Sequence, residues 1–594
     1  MRSFFGQLCE SIPHNTSDYM RSTTRSLGSA ASALLLVAVM ACGDDDGNNP
    51  TPLRAPTGVT ASATSSTSIR VSFTAGSGAT SYVVQRAPST GAFVTVGSTD
   101  SLAFHDNGVT PSTAYRYQVA SVRGNDTSAF STVATATSLA PGLGGQVILS
   151  GNITANRTLD RDTVYVLSGF VKVQNGAVLT IESGTRIVGD SAVNGSALFI
   201  LRGAQINAVG TASNPIVMTS QRAPGFRKPG DWGGFIIVGN GQINRTAVNP
   251  VLEGSNGAVP NGGPPGITYG GGTPAGDLEG SGTLQYVRVE FAGFAVTLNN
   301  ELNSFTFAAV GSGTTMDHLQ SLAGLDDSFE WFGGTVNAKY LVSYESGDDH
   351  FDAAEGYRGK NQFLIAMQTT QIPVPASSGG LAADPQGFEI DGCDTQSTGC
   401  AVSGSASGQS ATPYTMPVFA NFTMIGTGTT ATAGSSGGVG MVVRRGAGGT
   451  FINGVVVRYP RRGISLRDSA TFNREGNDSL IITNVLLADN LAGNFDSDTV
   501  KTRLGATGFE EVASTSASLF VALPAAGSTT ITTAGIDFTP ATGSAIATGG
   551  LNAFTAGQLI SNRAGTFITP TSYRGAVAPG GPKWFDGWTA YYQN

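Results

Sequence analysis

Residues 179–189 read LTIESGTRIVG and residues 198–210 read LFILRGAQINAVG. Laid over one another with a shift of 19 residues, Leu179 falls on Leu198, Ile181 on Ile200, Gly184 on Gly203 and Ile187 on Ile206. An apolar-x-apolar strand, a glycine turn and a further apolar residue, recurring at about one coil length, is the signature of a β-solenoid. One coil cannot bury its own apolar side, so coils stack and share an interior ladder of Leu, Ile, Val and Phe. Strand segments continue as LQYVRVEF, AKYLVSY, QFLIAMQ, GMVVRRG, TFINGVVVRY and LIITNVLLADN, with polar insertions at roughly 242–280, 369–386, 396–414 and 426–438. Such insertions map to loops on a solenoid surface. Composition agrees with an all-β fold: 81 glycines and only 12% charged residues disfavour long helices and favour short strands joined by turns.

Against that sparse charge, one acidic pattern recurs. GLDDSFEWFGG at 324–334 lies over SGDDHFDAAEG at 346–356, so Asp326, Asp327, Phe329 and Glu330 fall on Asp348, Asp349, Phe351 and Asp352, each 22 residues on. GFEID, with Phe388 and Glu389, reads as a third rung. Neighbouring strands in a parallel stack sit about 4.8 Å apart. Strand alternation then places the phenylalanines inside and the acids on one outer strip. Like charges so close either raise a pKa or recruit a cation. Clustered carboxylates suit Ca²⁺, which takes oxygen ligands, and the candidate ligands are Asp326, Asp327, Glu330, Asp348, Asp349 and Asp352. The same acids could instead cap turns, as Asp does routinely. A catalytic reading would use Asp348, Asp349 and His350, with Lys339, Arg358 and Lys360 near in sequence. Repetition favours a ladder over an active site, since catalysis needs one asymmetric arrangement.

The N-terminus carries a secretion signal. Arg21 and Arg25 precede the apolar run ALLLVAVMAC at 33–42, which is too short to span a membrane, and a polar acidic segment follows. Val39-Met40-Ala41-Cys42 resembles a bacterial lipobox, which implies lipidation at Cys42 and a signal peptide over 1–42, with Met20 as an alternative start. Gly43 after the cysteine points to the outer membrane or cell surface of a Gram-negative cell. Residues 43–53 form a tether containing Pro50 and Pro52. Cys393 and Cys400, in GCDTQSTGCA, fit a small disulfide-closed loop in an oxidising compartment. The net charge of −8 leaves no basic footprint for nucleic acid.

Residues 54–138 alternate as short strands: SIRVSF, SYVVQR and VTPSTAYRYQV, with Tyr115 in a tyrosine-corner position and Phe73 where a core tryptophan is usual. They resemble a fibronectin type III domain, which implies a spacer or binding module. Residues 145–594, through GDWGG at Gly230, YVRVEFAG at Tyr286, DDSFEWFGGTV at Asp326 and WFDGWT at Trp584, resemble right-handed parallel β-helix proteins of the pectin-lyase type. More narrowly they resemble a secreted or lipid-anchored family without established activity. In that resemblance, pectate lyases hold calcium on acids from successive coils, whereas the Gly-His-Gly and Arg-x-Lys elements of polygalacturonases are not visible here. Residues 495–575 read as irregular coils or a capping unit.

Arg444-Arg445 and the Arg458–Arg462 group could contact an anionic glycan, with Trp331 and Trp232 as stacking surfaces. The alternative is ion pairing with acids of adjacent coils. The expectation is a cell-envelope lipoprotein whose β-helix binds extracellular polysaccharide or an envelope partner, with Ca²⁺ as a possible stiffener. A polysaccharide lyase or glycoside hydrolase, and a structural or adhesive surface rod, are the alternatives.

Overall fold

The computed structural model describes residues 51–594 except 140–145, 246–249, 257–265, 271, 298–299, 370–384, 394–407, 431–436, 529–530 and 592–594. The expected leader and Cys42 therefore lie outside the described residues.

The first module is an antiparallel sandwich. Thr57–Ala63, Ile69–Thr74 and Ala103–Asp106 form one sheet, and Ser81–Pro88, Val94–Thr99, Ala114–Arg123 and their short neighbours form the other. Alternation along IRVSFT buries Ile69, Val71 and Phe73, which pack on Tyr82, Val84, Tyr117 and Val119. Tyr115 takes its expected part, its hydroxyl oxygen accepting the Thr110 N–H at 2.9 Å.

From Gln146–Leu149 onward, among the described residues, every pairing within the two long sheets of the stack is parallel, and antiparallel pairing is confined to short insertions such as Ala295–Thr297 with Asn300–Glu301 and to the chain's last limb. Successive coils place Val164–Leu167, Phe170–Val173 and Val178–Ile181 on three sides, and each side extends by one strand per turn. One side is a ten-stranded sheet; the other two merge into a seventeen-stranded sheet, because strands such as Gly282–Glu290 bend to serve both. The interior is a continuous apolar column from Leu149 to Leu504.

The repeat that announces the solenoid relates sides rather than coils. Leu179 pairs with Ile206 in the next coil, and Leu198 belongs to the ten-stranded sheet, paired with Val171. The 19-residue shift superposes two corners of the coil that share a strand, a left-handed glycine (Gly184 at φ +85°, Gly203 at +77°) and a strand.

The bend inside the seventeen-stranded sheet has its own ladder. Tyr286, His318, Tyr340, Phe363, Asn421, Asn453 and Asn484 all sit at φ between +50° and +65°. Asparagine tolerates that conformation, and the aromatic residues offset its cost by stacking. Ring centroids are 4.3 Å apart from Tyr286 to His318, 4.4 Å on to Tyr340 and 5.0 Å on to Phe363. His318 is thus a structural residue, also bonded to Asp317.

The C-terminal stretch is not simply a cap. The helix Asp498–Gly508 does close the stack, burying Val500 and Leu504 on the apolar column. Residues beyond Leu519 then return along the bend towards earlier coils. Asn484 donates to the Gly549 carbonyl, Asn453 accepts the Leu551 N–H, Asn421 donates to Thr571, and Gln320 accepts the Ala590 N–H. Trp584 and Trp588 set their rings against His318. Side chains at a turn must find polar partners when covered, and this limb supplies them.

Candidate functional site

The acidic repeat falls in the ten-stranded sheet, where its register is the one the spacing requires: Phe329 beside Phe351 beside Phe388, and Glu330 beside Asp352 beside Glu389. The phenylalanines face the interior, with ring centroids 5.5 Å apart at each step. The acids face outward from the sheet, where Glu330 and Glu389 are buried and Asp352 is half-buried, as are Asp326 and Asp348 at the corner before it. Glu330 is 5% and Glu389 9% exposed. The expected outer strip is a largely covered one, because the segment following Val238 folds over this side. Its Ile243, Leu252, Ile267 and Tyr269 pack against Phe199, Ile236, Ala308 and Phe332 in a second apolar core. Arg245 pairs with Glu355, Tyr269 donates to Glu355, and Asn303 donates to Glu330.

At the corner leading into these strands, a second ladder forms. Asn303 Oδ1 accepts the Asp327 N–H at 3.1 Å, Asp327 Oδ1 accepts the Asp349 N–H at 2.8 Å, and Asp349 Oδ1 accepts the Gln386 N–H at 2.6 Å. Gln386 Oε1 accepts the Val439 N–H at 2.9 Å. Each side chain therefore ties its coil to the next, and neutral amides do at the ends what carboxylates do in the middle. The structural reading, one of three for these acids, accounts for one oxygen of Asp327 and one of Asp349.

Other oxygens converge. Carboxylate atoms of Asp326, Asp327 and Asp348 lie within 4.8 Å of one another, as do those of Asp327, Asp349 and Asp352. One oxygen of Asp352 is buried without a hydrogen-bond partner. Oxygen-only donors at this separation fit a hard cation with bonds of about 2.3–2.6 Å. Burial first, and then the neighbouring charges, hold Asp326, Asp327, Glu330, Asp349 and Asp352 well above the usual carboxylate range. Glu253 and Glu389 are pushed up to about 8 for the same reasons, with Glu301 and Asp391 as the nearest charges. A cavity of about 210 Å³ opens beside them, lined by Glu253, Glu330, Asp352, Glu355, Glu389 and Asp391, with Arg245 and Arg445 as its cations.

The catalytic constellation does not assemble. His350 is 1% exposed, shares a hydrogen bond with Ser343, and lines a separate narrow cavity with Gln368, Gln386 and Tyr459. Burial pushes its imidazole down to about 3, so it stays neutral. Asp349 instead accepts the Gln386 N–H at 2.6 Å. Arg358 pairs with Asp277 at 2.9 Å, and Lys339 lies over the Phe567 ring.

Trp331 and Trp232 are not stacking platforms for a ligand. Both are fully buried, and Trp331 stacks on Phe307 and Tyr357 within the core because it shares the inward phase of Phe329. Arg444 pairs with Glu389 and Asp391, and Arg445 with Asp391, so the ion-pair alternative describes them and the glycan contact does not. Cys393 is buried at the acidic cavity, and Cys400 lies outside the described residues.

Arg245, Glu253, Tyr269, Asn303 and Glu355 complete the site and were not legible as part of it. A signal existed: the Gly/Pro-rich insertion at 242–280 holds just four charged residues, Arg245, Glu253, Asp277 and Glu279. Charges kept in so neutral a segment have partners to meet.

Comparison with known proteins adds the family. A fibronectin type III model matches residues 54–137, and a pectate-lyase like beta helix domain matches residues 151–531. No curated protein matches the chain. Among solved structures, it is similar to a Fn3-like protein from Clostridium thermocellum, at 28% identity over 15% of this chain and 95% of that one, TM-score 0.14. The FN5 domain of Drosophila Lar gives 23% identity over 15% and 98%, TM-score 0.14. Titin kinase with its flanking domains gives 18% over 14% and 17%, TM-score 0.14, so the chain spans about a sixth of that structure. Because the β-helix match covers more than half of the 594 residues and coincides with the parallel stack, the chain belongs to the pectate-lyase-like β-helix family.

Proposed function

We propose that this chain is a cell-envelope lipoprotein, anchored through a lipid on Cys42, whose β-helix binds an extracellular polysaccharide without cleaving it and holds Ca²⁺ among its buried acids. The two matched domains support a surface or carbohydrate-related protein. The calcium reading is supported by the excess of carboxylate: two triads of converging oxygens and a six-carboxylate cavity stand against three arginines, Arg245, Arg444 and Arg445. Asp326, Asp327 and Asp348 would hold one ion, or Asp327, Asp349 and Asp352, and the ion would replace protons as the neutralising charge. A Cys393–Cys400 disulfide would close the loop beside the acidic cavity. The lyase or hydrolase alternative lacks support from the geometry, since it needs a base beside the acids and His350 faces elsewhere.

The test is a calorimetric titration of Ca²⁺ into the chain, repeated on the Asp326→Asn/Asp348→Asn variant. Binding at micromolar levels, roughly the range of sensor sites, with a raised Tm and loss of both in the variant, is the expected result. No heat and an unchanged Tm would leave the acids as protonated turn caps.

A further inference from the structure

On four successive coils the corner leading into the ten-stranded sheet passes through His350, Gln386, Gly438 and Tyr459. Backbone bonds tie these visits together: the His350 N–H donates to the Gln386 carbonyl at 3.1 Å, Gly438 to Pro385 at 2.8 Å and Arg461 to Gly438 at 3.0 Å. They enclose a cavity of about 10 Å³, whose wall Gln368 and Thr427 help to complete. Gln368 and Gln386 flank one polar insertion, and Thr427 and Gly438 flank the next, so the cavity sits where both loops leave the stack.

Three buried side chains turn a polar atom to this cavity: His350 Nε2, Gln386 Nε2 and the Tyr459 hydroxyl. The imidazole's other nitrogen shares a hydrogen bond with Ser343. Gln386 Oε1 accepts the Val439 N–H at 2.9 Å, which leaves the amide's NH₂ for the cavity. The Tyr459 ring reaches back past Gly440 to Gly387, where a Cβ would stand 3.0 Å from the ring and 2.4 Å from the hydroxyl oxygen respectively. Among the described residues none closes a hydrogen bond to the three atoms, and Gln368 faces the imidazole across the cavity without bonding to it. Buried polar atoms are costly to leave unmade, and three around one cavity call for a ligand.

We propose that the cavity holds one water molecule, bonded to His350 Nε2, Gln386 Nε2 and the Tyr459 hydroxyl, as an integral part of the fold. The volume is room for one water and no more, and three bonds are the usual number for a buried one. No arginine or lysine lines the cavity to hold an anion, and the inward amide N–H groups would repel a cation. Water takes a hydrogen from the amide and can give or take one at the phenol and the imidazole. It joins three coils and braces the roots of two loops. Neither the calcium nor the polysaccharide reading bears on this site.

The experiment is the sign of the change in Tm on Tyr459→Phe in the full chain, with a crystal structure of the unaltered chain at a resolution that shows water. With the water in place, losing the phenol removes one of its bonds, so the Tm should fall by about a degree or more. A hydroxyl buried without a bond would be better absent, so an unchanged or raised Tm would overturn the proposal. The crystal should show a single solvent peak about 2.6–3.2 Å from all three atoms. No peak there, a peak too strong for water, or the Gln368 amide bonded directly to the imidazole would equally overturn it.

Discussion

The ten-stranded sheet carries the same coil repeat on its inner and outer sides. Inward, Phe305, Phe329, Phe351 and Phe388 stack with centroids 4.9, 5.5 and 5.5 Å apart. Outward, Thr306, Glu330, Asp352 and Glu389 occupy the adjoining positions of those strands. A parallel stack places like beside like at about 4.8 Å. For rings that repetition adds dispersion and burial. For carboxylates it adds repulsion to the cost of leaving water, which the chain meets with protons, arginines or, in our proposal, a cation. The two sides teach that a solenoid register is indifferent to chemistry, and that its neighbours decide whether a repeat stabilises.

Three experiments probe that contrast. Phe351→Ala should cost the most, about 3–5 kcal/mol by denaturant unfolding, because it removes a ring from between two others; a cost below ~1 kcal/mol would break the account of the inner ladder. The third kind of repeat, the asparagines of the bend, is polar yet satisfied by the returning limb. Asn453→Ala should cost about 1–3 kcal/mol, from the bonds to Leu551 and Thr571 and the alanine's left-handed φ. Asn453→Gly, free of that strain, should cost less, and equal losses would assign the whole effect to hydrogen bonding.

The outer acids should respond with the opposite sign. Glu253 and Glu389 sit near 4.5 when unfolded and about 8 when folded. Between those values the folded chain binds more protons than the unfolded one, so in EDTA the Tm should fall as pH rises from about 4.5 to about 8. Ca²⁺ should flatten that slope. Asp352→Asn should raise the Tm by a few degrees at the alkaline end of the window and hardly at its acid end. A Tm that climbs with pH in EDTA would show that the acids are ionised and compensated by groups other than protons.

Legibility followed insertion. Between Phe329 and Phe351 the coil has no inserted loop, so the 22-residue spacing, the alternation and the pairing of Glu330 with Asp352 could all be taken from the chain. Leu179 and Leu198 misled because corners of one coil resemble each other as closely as coils do. The burial of the acids was hidden, since it depends on a segment that does not repeat; the segment's few charges were the available clue. The bend ladder was present as an aromatic or Asn before an apolar strand, in YVRVEF, HLQSL, YLVSY, NFTMI, NGVVV and NVLLA. Its spacing varies from 22 residues between His318 and Tyr340 to 58 between Phe363 and Asn421, which masked it as a repeat.

The returning limb alters how such a chain comes apart. A stack whose coils touch just their neighbours can fray from an end, each loss leaving a shorter intact rod. Here Trp588 accepts from Arg288 and Ala590 is clasped by Gln320, contacts spanning 300 and 270 residues. The terminal segment acts as a lashing laid across the coils, so loosening the distal end also uncovers aromatic rungs far upstream. The corresponding delay applies to assembly: a chain emerging in order can wind its coils early, but their flank stays bare until its last residues arrive.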